Sequence, residues 1–133
     1  MAEEVVVKEG LTQDMITAGA EVTRCLDKAQ WPIVASLWLY VPDSNRWRLV
    51  LASPDVAKRG PKGAYQQVQA ILSKIPEGPS IALQDIAVVE PGDALIRLLR
   101  VVISTGGRIS GVRLSKNVIN GHFIDDAYVY LIK

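Results

Sequence analysis

The chain has 133 residues, 49% of them apolar, 22% charged and 6% aromatic, with 15 basic against 14 acidic side chains. That size and composition describe one globular domain over 1–133, able to fold without a disulfide or metal, and a net charge of +1 supplies no global field to draw it onto nucleic acid or an anionic membrane. The uncharged stretch Trp31–Pro42 carries Pro32 and falls short of the about 20 residues of a membrane helix, the N-terminus is acidic where a secretory leader starts basic, and the lone Cys25 suits a reducing compartment, so the expectation is a cytoplasmic protein with no membrane partner.

Residues 1–10 read as a flexible N-terminal segment. A helix is expected over 12–29, with Thr12 as N-cap, Asp14 in the first turn and Lys28 near the end. Its apolar positions Met15, Ile16, Val22, Cys25, Leu26 and Ala29 recur at three- and four-residue spacing and define one buried face; Cys25 reads there as a small core residue rather than a reactive thiol. Two strands over 33–41 and 46–53, joined by Pro42-Asp43-Ser44-Asn45, read as a β-hairpin. A four-residue loop sets Tyr40 opposite Trp47 and Trp38 opposite Leu49 on one face, with Leu39 opposite Arg48 and Val41 opposite Arg46 on the other. The aliphatic first strand predicts cover on both faces.

A second helix is expected to start at Gly60-Pro61, where proline gives up an amide hydrogen the helix does not use, and to run to about Ile75, ended by Pro76, Gly78 and Pro79. A strand over 83–90 follows. Pro91-Gly92-Asp93 then opens a third helix to about Ser104, with an Asp93–Arg97 pair. Leu95, Ile96, Leu98, Leu99, Val101, Val102 and Ile103 wrap most of its circumference, so it is expected to be buried or to meet another subunit. Strands over 108–115 and 126–132 close the chain, with Asn120-Gly121 as a hairpin turn and 117–123 extending either one. The order αββαβαββ predicts an α+β domain, a mixed and mostly antiparallel sheet with helices packed on it.

Charge is uneven along the chain. Residues 1–30 hold six acids against three bases, 31–75 hold two against six, and 76–133 hold six of each. The basic middle contains a candidate anion or nucleic-acid site: the helix start at Gly60 and Gly63, with Lys58, Arg59 and Lys62 around it, Tyr65 one turn in, and Arg46, Trp47 and Arg48 as cation and stacking groups. A solvated loop beside core aromatics explains the same residues more simply. His122 with Asp125 and Asp126 is the one cluster of catalytic type, a histidine and paired carboxylates able to hold a hard cation, although a turn followed by a strand explains them as well.

Other chemistry is missing. One histidine and one cysteine build no structural zinc site; GxxxxGK[ST], GxGxxG and GxSxG do not occur; and no acid has a lysine two positions later, the second half of the metal-dependent nuclease pattern that Pro54-Asp55 would open. The leading expectation is therefore a non-catalytic interaction domain without a cofactor, self-associating as a homodimer or larger homo-oligomer, or docking a protein partner. Binding of nucleic acid or a phosphate ligand through the basic patch, and a small metal-dependent enzyme using Asp125, Asp126 and His122, are the alternatives.

Overall fold

A computed structural model of the chain describes residues 10–76 and 81–133. The segment expected to be flexible lies outside the described residues except for exposed Gly10, as do Gly78 and Pro79. Helix α1 (Gln13–Lys28) forms as its caps predict: the Thr12 hydroxyl accepts a 3.1 Å hydrogen bond from the Met15 amide, and Asp14 and Lys28 occupy the first and last turns. Strands β1 (Ala35–Val41) and β2 (Arg46–Ala52) pair in the predicted register, Tyr40 with Trp47, Trp38 with Leu49, Leu39 with Arg48 and Val41 with Arg46. One 3-10 turn over Pro42–Ser44 and a left-handed Asn45 (φ 50°) close the hairpin.

Helix α2 (Asp55–Leu72) starts earlier than its sequence suggests. The Ser53 hydroxyl receives the Asp55 amide at 3.1 Å and begins a first turn. Gly60, at φ 76° and ψ 163°, then breaks the helix, and Pro61 opens its second part. The Gly60-Pro61 signal is thus a kink: proline restarts a helix that glycine, free to adopt positive φ, has interrupted. Strand β3 (Ile86–Val89) is shorter than expected because Leu83–Asp85 form a 3-10 turn.

Helix α3 (Ala94–Val102) ends before the expected Ser104. Thr105 clamps the chain to the last strand, its amide and hydroxyl donating to Ile132 O at 3.0 and 3.2 Å. Strands β4 (Val112–Ile119) and β5 (His122–Ile132) run right up to the Asn120-Gly121 turn. Both turn residues are left-handed, φ 49° and 80°, the geometry that asparagine and glycine favour in two-residue hairpins. The sheet order is β3-β2-β1-β5-β4, with only β2 and β3 parallel. This is an α+β domain in the order αββαβαββ, and no helix among the described residues is long and apolar enough to cross a membrane.

The two faces of the sheet differ. Helices α1 and α2 cover one, over a core that includes Val22, Leu26, Trp38, Leu49, Leu51 and Tyr130. Helix α3 covers part of the other, over Leu37, Val50 and Val129. On the first face α1 approaches very closely. The Trp38 indole donates to Met15 O at 3.0 Å and the Tyr130 hydroxyl to Ile16 O at 2.6 Å, both polar tips reaching the helix backbone beside Gly19. Tyr130 is 1% exposed, and burial pushes its pKa up, which keeps the hydroxyl protonated as a donor. A side chain at Gly19 would place its Cβ 2.5 Å from the Trp38 indole nitrogen and 2.8 Å from the Tyr130 ring.

In an open helix Gly→Ala stabilises by about 1 kcal/mol. At Gly19 the collision reverses the sign: Gly19→Ala is expected to lower the unfolding free energy by about 1–3 kcal/mol, measured by urea unfolding, and a stabilised variant would contradict this packing.

Candidate functional site

The structure divides the basic set read from the sequence. Arg46 opens β2, whereas Lys58, Arg59, Gly60, Lys62 and Gly63 follow its far end, about 20 Å away along the strand. Arg46 and Arg48 share the face of Val41 and Leu39. They tie the hairpin to the segment before β3, Arg46 lying 3.5 Å from Asp85 and Arg48 donating to Gln84 O at 3.3 Å. Trp47, between them, points to the opposite face and is buried in the core under α1 and α2.

At the other end Lys58 and Arg59 line one cleft of about 420 Å³, while Lys62 is exposed. Arg59 is engaged: its Nε donates to the Asp55 carboxylate at 2.8 Å, and Asp55, 5% exposed, also accepts from the Trp31 indole at 3.0 Å. The Arg59 stem covers Gly63, where a Cβ would stand 2.8 Å from the Arg59 Cβ. Tyr65 is part of the framework, its hydroxyl bonded to Ile86 O at 2.8 Å and to the Val88 amide at 3.1 Å.

His122, Asp125 and Asp126 all lie on β5 but are directed apart. Asp126 turns toward the α1 and α2 side, is 5% exposed and receives Arg113 through two 2.6 Å hydrogen bonds and the Ser115 hydroxyl at 3.0 Å. His122 is exposed and lines a cleft beside α3. Among the described residues no group of three or more His, Cys, Asp or Glu is placed to hold a metal. Cys25 is half-buried on α1.

The surface that stands out is the one formed by α3 and the β4–β5 hairpin. β5 is paired with β1 only as far as Leu39–Ala127, while its ladder with β4 continues through Ser115–Asp126 and Val118–Phe123 to Ile119–His122. The last part is therefore a two-stranded arm projecting past the five-stranded body. Simple alternation would put Ile124 on the same side as Asp126, yet Ile124 and Ile119 belong to the α3-side core. The faces exchange beside Lys116, a non-glycine residue at φ 49° inside a strand, the kind of irregularity that re-aims a ribbon. The exchange buries Ile119 and Ile124 and turns Val118 and Phe123, direct cross-strand neighbours, outward with 68% and 61% exposure.

Helix α3 frames the inner side of the arm. Its N-terminus is capped by the Asp93 carboxylate, which accepts from the Leu95 amide at 3.0 Å; capping, not the expected pairing with Arg97, is what this acid does. Arg100 pins the helix by donating to Lys133 O and Pro91 O at 3.1 and 3.2 Å. Ile96 and Leu99 are fully buried, Leu95 and Leu98 half-buried, and Val101 and Val102 exposed at 62% and 52%. Of the two outcomes expected for this helix, full burial or an apolar side left for another subunit, the first does not occur among the described residues, because a single helix on an open sheet face has cover on one side.

The base of the arm is anchored to the body by Arg113. Its guanidinium pairs with Asp126 and also lies 5.6 Å from the Trp47 ring centroid, a cation–π contact made by an arginine that bridges β4 to the hairpin core. The Asp126 carboxylate holds the Arg113 pKa above its ordinary value. Comparison with protein-family models, curated proteins and solved structures finds no match to this chain, so its functional reading rests on this surface chemistry.

Because Asp126 is nearly buried and Arg113 half-exposed, the two halves of the pair are not equivalent. Arg113→Met takes a bidentate donor from a desolvated carboxylate and is expected to cost about 1–3 kcal/mol; Asp126→Asn leaves a guanidinium that water can reach and costs less. Equal losses on urea unfolding would contradict the anchoring role.

Proposed function

We propose that this protein is a non-catalytic, self-associating interaction domain of the cytoplasm, and that its contact surface is the outer face of the β4–β5 arm. One observation carries the reading: Val118 and Phe123 form an exposed apolar pair on a ribbon only two strands wide. Such a ribbon is marginal by itself in water, and a large aromatic beside a β-branched residue on its open face is a contact ready to be buried.

The occupant is a second copy of the chain. A two-fold axis along the ribbon sets Val118 against Phe123 of the second copy, with the reciprocal pair satisfied at once. That is the self-complementarity an isologous interface requires. Direct pairing of β4 edges fits less well, since Arg113, Lys116 and the left-handed backbone at Lys116 guard that edge in the way natural sheets avoid adding strands. The half-buried lone cysteine supports a reducing compartment.

Sedimentation equilibrium is expected to show a dimer. The double substitution Val118→Ser with Phe123→Ser changes side chains already exposed, so the fold persists by circular dichroism while the dimer dissociation constant rises about hundredfold. A monomeric wild-type chain, or an unchanged constant in the variant, overturns the proposal.

A further inference from the structure

The inner side of the arm has a chemistry of its own. Between α3 and the arm lies a cleft of about 540 Å³, within the range of about 300–1,000 Å³ typical of small-ligand sites. Leu98, Val101 and Ile124 give it apolar walls, and Arg97, Asn120 and His122 line it as well. Among the described residues no carboxylate does. Among the described residues Arg97 makes no ion pair, and the side chains of Arg97, Asn120 and His122 make no hydrogen bond. The neighbouring charges are committed elsewhere, Asp93 to the helix cap and Arg100 to two backbone carbonyls.

We propose that this cleft binds a small amphipathic carboxylate, with the apolar chain against Leu98, Val101 and Ile124 and the carboxylate on Arg97. A single guanidinium offers the two parallel donors that match one carboxylate, and the Asn120 amide adds a neutral donor at the rim. Apolar contact supplies the affinity and the arginine selects the sign of the head group. The site goes beyond self-association; Phe123 lines the cleft as well as forming the proposed dimer contact, whereas Val118 takes no part in it.

Octanoate is the probe, with octylamine as a chain of equal length and opposite charge, and the readout is methyl NMR of the full chain. Octanoate is expected to shift the Leu98, Val101 and Ile124 methyl signals saturably, while octylamine at equal concentration leaves them in place. Arg97→Gln, a change at an exposed position, keeps the Ile96 and Leu99 core signals and weakens octanoate binding by about tenfold or more. Absence of saturable shifts with octanoate, equal response to octylamine, or unchanged affinity in Arg97→Gln each overturns the proposal.

Discussion

One short helix covering one face of a five-stranded sheet sets the character of this molecule. The nine residues of α3 span about 13 Å, against roughly 19 Å across five strands, and β5 alone runs for 11 residues. Ile96 and Leu99 fill the centre of that face, and the helix then runs out. What lies past it must be polar, or be covered by something else. Among the described residues neither solution is adopted: Val101 and Val102 stay open on the helix, and Val118 and Phe123 on the arm.

The opposite face shows what complete cover looks like. There α1 and α2 lie over a continuous core, α1 so close that glycine is required at position 19 and two aromatic side chains hydrogen-bond to the helix backbone. Rigidity on that side is transmitted to the base of the arm through Arg113, which joins Asp126 to the Trp47 ring. A firmly rooted ribbon can present an apolar pair without losing it into its own core. Lys116 completes the arrangement, since its left-handed backbone decides which residues of the ribbon turn inward and which turn out.

Much of this was legible in the amino-acid sequence, and the failures share a cause. The β1–β2 register followed from a four-residue loop and clear alternation, both local properties. The α1 boundaries followed from Thr12, Asp14 and Lys28 for the same reason. Gly60-Pro61 was ambiguous because glycine followed by proline marks a restart as readily as a beginning, and the Ser53 interaction that starts α2 earlier is a weak local signal. The choice between full burial of α3 and an apolar side left open was not legible, because composition states how apolar a helix is and not how much surface exists to cover it. The basic residues from Arg46 to Lys62 lie near one another in the chain, but a strand of seven residues carries its two ends apart. Nothing in the sequence marked the face exchange at Lys116, a residue type that seldom adopts positive φ. Without that exchange neither the outward pair nor the inner cleft could be read, although the apolar alternation around Asn120-Gly121 already hinted at longer strands.

The outer face of the arm is proposed to be an interface between two copies. Its most direct measurement is an isotope-filtered nuclear Overhauser experiment on a mixture of labelled and unlabelled chains, which reports contacts between protomers alone. Cross-protomer signals are expected between the Val118 methyl groups and the Phe123 ring. A dimer whose cross-protomer signals arise only from other surfaces, or a sample with none, would contradict it.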